Sequence, residues 1–190
     1  MVTITTPRPM TTEEFLQLPD DGIDRELING ELRERPMTRR NRRHSRTMTN
    51  LSKLIGNWLD KQPTPRGEVL TGDAAFRLRH DPDTTVGIDV AYVSAALAAN
   101  TPEKAAIVDG PPVLAVEIMS PSDTHDDITD KVELYLASGV SVVWVVDPDL
   151  HTVIVYSAEA GPVLFNTRQE LSGDPHLPGL RVPVASLFGV

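Results

Sequence analysis

Two carboxylates lie inside runs of apolar residues, where an acidic side chain is not expected. Asp89 interrupts the run at residues 86–93, and Glu117 interrupts the run at residues 113–119. Burying an ionised carboxylate costs on the order of several kcal/mol unless a cation or good hydrogen bonds compensate for it. Carboxylates on adjacent strands are ligands that Mg²⁺ takes, with a substrate phosphate completing its coordination. The pattern indicates a divalent-cation site, although acids bridged to core arginines would produce the same pattern.

Lys131 is the third candidate, because its side chain should reach toward the sheet. It follows Ile128 by three residues and precedes Tyr135 by four, on the flank of an apolar helical stripe. A compact ammonium in that place can orient an attacking water or stabilise a pentavalent phosphate. The alternative is that the lysine stem covers apolar surface while the ammonium stays in solvent.

Other chemical motifs are weaker or missing. His44 continues the apolar stripe of a predicted helix by one turn, so it should point inward, as a buried core histidine does. The sequence has no glycine-rich phosphate loop, no Gly-x-Ser-x-Gly motif and no zinc motif. Cysteine is absent, which excludes disulfide scaffolds and thiolate nucleophiles and suits a reducing cytoplasm.

Length and composition describe an ordinary soluble protein. The chain has 190 residues, of which 40% are hydrophobic and 24% are charged, and this size suits one domain. Its apolar runs are far shorter than a membrane span requires, and the first ten residues contain no apolar secretory segment. We therefore expect a cytoplasmic protein that does not cross a membrane.

Periodicity and turn signals predict the elements that would position the candidate residues. Asn29-Gly30 between two short runs is a strong signal for a β-hairpin, because both residue types tolerate positive φ. Apolar residues after Asn41 repeat at helical spacing until Pro63. The predicted order is a short capped helix at 11–16, the hairpin at 25–35, a helix at 41–62, strands at 68–78, 86–93 and 113–119, a helix at 128–136, and strands at 140–146 and 151–157.

The predicted fold class is α/β (α+β), with a mixed central sheet flanked by helices and an N-terminal β-hairpin. We expect a single domain over residues 1–190 with its core at about 11–157. Residues 158–190 contain many Gly and Pro and are predicted to form an irregular C-terminal extension with edge strands. If Asp89 and Glu117 share a metal, their carboxylates should lie on neighbouring strands and face the same side.

Positive charge is concentrated in one short segment. The net charge of −9 argues against a general basic surface for nucleic acid, yet seven arginines lie between residues 33 and 46. A basic segment on an acidic protein can mark a contact with a polyanion. The alternative is a solvated segment that pairs with acids elsewhere. Phosphate contacts are predicted for four of these residues: Arg39, Arg40, Arg42 and Arg43.

Several blocks of this sequence together resemble a known family. They are residues 25–32 (RELINGEL), 88–93 (IDVAYV), 116–123 (VEIMSPSD), 131–135 (KVELY) and 139–148. No single block is specific. In combination they resemble the second Uma family of restriction endonuclease-like proteins, which is part of the PD-(D/E)XK nuclease superfamily. The resemblance runs from about Thr11 to Tyr156.

The resemblance implies a restriction-endonuclease-like fold and a Mg²⁺-dependent phosphodiester hydrolase, with Mn²⁺ as a substitute. Asp89 and Glu117 take the places of the superfamily's two acids and would be catalytic residues and metal ligands. The superfamily lysine normally follows the second acid by two residues, where this chain has Met119. The resemblance moves this charge to the helix and implies that Lys131 is the third catalytic residue.

The same resemblance gives accessory roles and a partner. It implies that His44 contacts a substrate phosphate and that Glu26 is an outer acid of the site, whereas an ordinary hairpin charge would also explain Glu26. The expected partner is DNA, and a homodimer would suit cleavage of both strands of a duplex. Two other functions stay open: a catalytically inactive nuclease fold that binds nucleic acid or a protein partner, and a scaffold whose acids form structural ion pairs.

Overall fold

Residues 8–36, 41–121 and 123–189 are described by the computed structural model of the chain. None of the described helices combines the length and apolar character that crossing a membrane requires. The elements in chain order are α1 (Thr12–Phe15), β1 (Ile23–Ile28), β2 (Glu31–Pro36), α2 (Arg42–Leu59), β3 (Glu68–Arg79), β4 (Thr84–Val93), α3 (Ala95–Asn100), β5 (Val108–Asp109), β6 (Leu114–Ile118), α4 (His125–Ala137), β7 (Val142–Asp147), β8 (Thr152–Ser157), β9 (Ala160–Asn166), β10 (Glu170–Ser172), β11 (Arg181–Pro183) and α5 (Val184–Phe188).

A mixed sheet of nine strands forms the centre of the described structure. Its main path runs β2-β1-β4-β6-β7-β8-β9, and β3 pairs with both β4 and β5. The β6–β7 pair is parallel, and its crossover contains α4, as a parallel connection requires. The neighbouring β4–β6 and β7–β8 pairs are antiparallel. The predicted mixed sheet flanked by helices, with an N-terminal hairpin, is confirmed.

The hairpin turn has the geometry that its sequence predicts. Asn29 has φ 52° and Gly30 has φ 76°, so both central residues lie in the left-handed region that a two-residue hairpin turn uses. A side chain at position 30 would also collide with Pro9, because a Cβ there would lie 2.3 Å from the Pro9 Cβ. The turn therefore sets the register that pairs Glu26 with Arg33.

Two helices cover opposite faces of the sheet. Asn41 caps α2 by accepting a hydrogen bond from the His44 backbone, and Leu51 and Ile55 pack with Val116 and Trp144 in one core cluster. Thr124 and Asp127 form a capping box that starts α4, and this helix buries three residues in the other cluster, beside Ala115 and Val145: Ile128, Val132 and Tyr135. Adjacent residues of a strand alternate between faces, so β6 and β7 contribute to both cores.

The C-terminal segment contributes more to the core than its composition suggests. Residues 158–189, predicted as an irregular extension, form β9, β10, β11 and α5. Short elements separated by Gly and Pro show no clear periodicity, which hid this contribution from the sequence pattern. Their apolar side chains complete the cluster under α2 with six residues that are at most 1% exposed: Leu171, Leu177, Leu180, Val182, Val184 and Leu187.

Candidate functional site

The two candidate acids lie on hydrogen-bonded neighbours in the centre of the sheet. Strands β4 and β6 pair antiparallel up to Val90 and Val116, and Asp89 and Glu117 are the next residues on the two strands. Asp89 is 3% exposed and Glu117 is 7% exposed. The structure thus brings together two buried carboxylates that are 28 residues apart in sequence.

Asp89 is held from the α2 side and from the neighbouring strand. Its Oδ2 accepts a hydrogen bond of 2.9 Å from the backbone N–H of Ile118 and lies 3.3 Å from Nε2 of His44. The side chain of Asp89 therefore satisfies a β6 donor next to the point where the β4–β6 ladder ends at Val90 and Val116. His44 is fully buried, and its ring faces Asp89 instead of solvent.

Glu117 is held by two residues of α4. The Tyr135 hydroxyl donates a hydrogen bond of 2.6 Å to Oε1, and Lys131 Nζ donates one of 3.1 Å to Oε2. The same Lys131 ammonium lies 3.2 Å from Oε1 of Glu26 on β1. Lys131 thus joins two carboxylates, and its ammonium is not directed away into solvent.

The electrostatics of the site follow from burial and from this sharing. Burial raises the pKa of Glu117 to about 7, and the negative charge of Asp89 also raises it. The charge of Lys131 and the hydrogen bond from Tyr135 lower this pKa but do not outweigh burial. Burial alone lowers the pKa of Lys131, but the charges of Glu117 and Glu26 outweigh it and raise this pKa above its ordinary value. Burial and the charge of Glu117 raise the pKa of Tyr135 well above its ordinary value, so its hydroxyl stays a donor at neutral pH.

The donor set fits a hard divalent cation. Glu117 and Glu26 share one ammonium, and the nearby charge of Asp89 destabilises the ionised form of Glu117. A divalent cation held by these carboxylates would offset this repulsion. In residues 8–36, 41–121 and 123–189 no group of three or more His, Asp or Glu forms a ready-made metal cage. That is compatible with Mg²⁺, which uses one or two carboxylates and completes its coordination with water and substrate.

A groove leads to this site between the hairpin and α4. It has a volume of about 290 Å³, and its lining includes Glu26 and Lys131. Two arginines of β2 cross it to reach acids of α4: Arg35 lies 2.6 Å from Asp127, and Arg33 lies 3.9 Å from Asp130. The groove gives a route from solvent to the ammonium of Lys131.

The predicted phosphate-binding arginines are only partly described. Arg39 and Arg40 lie outside the described residues. Arg42 and Arg43 are exposed in the first turn of α2, the turn whose third residue is His44. Arg43 forms an ion pair with Asp149. Positive charge therefore lies at the end of α2 that approaches Asp89.

Tyr135 is a member of the site that the sequence pattern predicts only as part of an apolar stripe. Its ring is fully buried with Ile128 and Val132, as a stripe residue should be, but its hydroxyl binds Glu117. A buried phenol needs a hydrogen-bond partner, so a tyrosine in an otherwise apolar stripe was the available signal.

Comparison with family models shows which family the chain belongs to. The family described as “Uma2: Putative restriction endonuclease” matches residues 12–185. The chain belongs to the Uma2 family. This confirms the family that the sequence blocks resembled, and the match extends past them into the C-terminal segment.

A solved structure shares the fold of this Uma2 chain. It is the crystal structure of a protein from Anabaena variabilis ATCC 29413 described as “a putative nuclease belonging to DUF820”. The two chains superpose with a TM-score of 0.77 and are 22% identical, over 95% of this chain and 98% of the other. A comparison with curated proteins finds no match. The Uma2 chain therefore has the fold of that structure over nearly its whole length.

Proposed function

We propose that this Uma2 protein is a metal-dependent phosphodiester hydrolase that cleaves DNA within the strand. The observation that supports this most is the contact of 3.1 Å between Lys131 and Glu117, beside a second buried acid, Asp89. Two acids and an ammonium are the groups that hydrolysis of a phosphodiester needs: ligands for a cation and a positive charge for the phosphate. The groove beside the Glu117–Lys131 pair reaches Lys131 and Glu26 from solvent.

Each residue of the site then has a distinct task. Bound Mg²⁺ or Mn²⁺ would activate a water molecule and neutralise the scissile phosphate. Asp89 and Glu117 would hold the cation, and the Ile118 N–H and His44 keep Asp89 in place. Lys131 supplies a fixed positive charge to the phosphate oxygens. Glu26 holds the ammonium of Lys131 toward the groove, so it acts through Lys131.

A nuclease fold without turnover is the second candidate, and Met119 is the observation that favours it. Met119 occupies the position two residues after Glu117 and packs against the α4-side cluster. The Lys131 ammonium reaches the Glu117 carboxylate from α4. Lys131 can therefore supply the positive charge that a lysine at position 119 would supply. Cleavage activity separates the two candidates, whereas metal or DNA binding does not.

The function is tested with supercoiled plasmid and with heat denaturation. The parent protein should nick plasmid only with Mg²⁺ or Mn²⁺, and saturation at a hundred times the dissociation constant should stabilise it by about 2.7 kcal/mol. Asp89→Asn keeps an acceptor for the Ile118 N–H but removes a charged ligand, so both effects should disappear. Asp126→Asn, an exposed acid at the start of α4, is the matched control and should behave as the parent. A parent protein that neither metal stabilises would reject the site.

The arginines of α2 give a separate prediction about DNA binding. Each phosphate contact that Arg42 and Arg43 make should add about 0.9 to the slope of log affinity against log salt. Arg42→Ala/Arg43→Ala should therefore flatten this slope by roughly two units on the counterion-release relation. Fluorescence anisotropy measures the DNA affinity between about 50 and 200 mM salt, and the slope follows from these affinities. Two phosphate contacts change the affinity on the order of tenfold or more over this range. Arg66→Ala/Arg168→Ala removes two exposed arginines elsewhere and serves as the control. Equal slopes in both variants would assign Arg42 and Arg43 to a solvated surface.

A further inference from the structure

The two oxygens of Glu117 are held by two different side chains of one helix. Oε1 accepts a hydrogen bond of 2.6 Å from the Tyr135 hydroxyl, and Oε2 accepts one of 3.1 Å from Lys131 Nζ. One donor is neutral and fully buried, and the other is charged and reaches the groove. Donors at both oxygens fix the position of the carboxylate and also the rotation of its plane.

Core packing does not explain the Tyr135 hydroxyl. Ile128 and Val132 complete the same buried stripe without polar atoms, and a phenylalanine would fill the ring's space at position 135. A buried hydroxyl costs about 1 to 3 kcal/mol if it finds no partner. Tyr135 follows Lys131 by four residues, which is one helical turn, so both donors reach the same carboxylate.

We propose that Tyr135 is a positioning residue that orients the Glu117 carboxylate for binding of the divalent cation. The inference rests on the proposed function and extends it to a residue outside the acids and the lysine. An ionised carboxylate offers about four lone-pair sites. With one site on each oxygen taken by Tyr135 and Lys131, a defined pair of lone pairs remains for the cation. Partners of this kind orient metal ligands and typically affect metal affinity or activity by about 10- to 100-fold.

Tyr135→Phe tests this role, because it removes one oxygen atom and keeps the ring. The apparent affinity for Mg²⁺, titrated through thermal stabilisation in the absence of DNA, should fall by roughly 10- to 100-fold. At saturating metal, kcat for plasmid nicking should fall while KM for DNA stays near the parent value, since the groove is unchanged. A purely structural tyrosine would lower the melting temperature and leave metal affinity and kcat at parent values, and that result would overturn the proposal.

Tyr92→Phe is the matched control. The Tyr92 ring packs edge-on against Trp58 at 5.2 Å in the cluster under α2, on the opposite face of the sheet from α4. The same loss of a hydroxyl there should leave metal affinity and kcat unchanged. If both variants lost metal affinity equally, a general loss of stability would be the cause, and the specific role of Tyr135 would be rejected.

A second measurement keeps the test independent of the folding of Tyr135→Phe. The chain has three tyrosines, so Tyr92→Phe/Tyr156→Phe leaves Tyr135 as its only one. The ¹³Cζ resonance of Tyr135 should move on addition of Mg²⁺, with the same midpoint as the thermal stabilisation. A resonance that stays still while the metal binds would overturn the role of Tyr135. A parent protein that binds no metal would instead reject the proposed function, and this inference with it.

Discussion

Glu117→Gln is expected to reduce metal-dependent DNA cleavage by on the order of a thousandfold, because a buried charged ligand is lost from the centre of the site. Gln keeps the size of the side chain and an acceptor for the Tyr135 hydroxyl, so the fold should survive. Rates of plasmid nicking at saturating Mg²⁺ measure the effect. Glu103→Gln, an exposed glutamate between α3 and β5, is the control and should cleave at the parent rate.

The same substitution should change how stability depends on pH. Burial raises the pKa of Glu117 to about 7 from its ordinary value of 4.5, so between these pH values the folded protein keeps a proton that the unfolded chain has lost. Rising pH in this window therefore destabilises the parent relative to the Gln variant, by up to about 3 kcal/mol. The difference is complete above about pH 7 and disappears below about pH 4.5.

Denaturant unfolding of both metal-free proteins at a series of pH values measures this difference. Using the difference between the two proteins removes the contributions of the other titrating groups, because they are common to both. A difference in the free energy of unfolding that did not change between pH 4.5 and pH 7 would contradict the raised pKa of the buried Glu117. Parent-level nicking by the Gln variant would remove Glu117 from the site altogether.

Lys131→Ala is expected to lower the turnover number by on the order of a hundredfold or more, about 3 kcal/mol. Its charge should act mainly on the transition state, so the affinities for metal and DNA should stay near the parent values. Single-turnover cleavage and separate binding titrations distinguish these effects. Lys53→Ala, an exposed lysine of α2, is the matched control. Parent-level turnover in Lys131→Ala would assign Lys131 to a structural ion pair with Glu26 and Glu117.

Two further variants separate the charge of Lys131 from its packing. Lys131→Met keeps an apolar stem and should lose turnover as Lys131→Ala does, with less loss of stability. Lys131→Arg should restore turnover incompletely, because the planar guanidinium is bulkier than an ammonium and holds its proton more tightly.

A double variant tests whether the lysine can return to the strand. Met119 packs on the α4 side of the sheet, as Glu117 does, since residues two apart on a strand share a face. Met119→Lys in the Lys131→Ala protein should therefore recover part of the lost turnover. If it recovers none while the protein still binds metal, positions 119 and 131 do not reach the same place.

Local signals in this chain were sufficient for most of the elements. The Asn29-Gly30 turn, the stripe of α2 and the apolar runs of β4 and β6 were predicted because each depends on residues close in sequence. The family was also recognisable from short blocks, and its match at residues 12–185 confirms it. The contribution of the C-terminal segment to the core was not predicted, because its apolar side chains form a cluster only where they pack under α2.

Part of the candidate site was also predictable from local sequence signals, and part depends on tertiary packing. Asp89 and Glu117 were evident from sequence because a carboxylate within an apolar strand is conspicuous whatever it contacts. Their places on neighbouring strands, the contact of His44 with Asp89, and the sharing of Lys131 between Glu26 and Glu117 depend on strand order and on helix packing. The Tyr135 hydroxyl shows this most clearly. Its stripe position predicted burial, but its partner comes from a different element, and only the packing of α4 over β6 brings them to 2.6 Å.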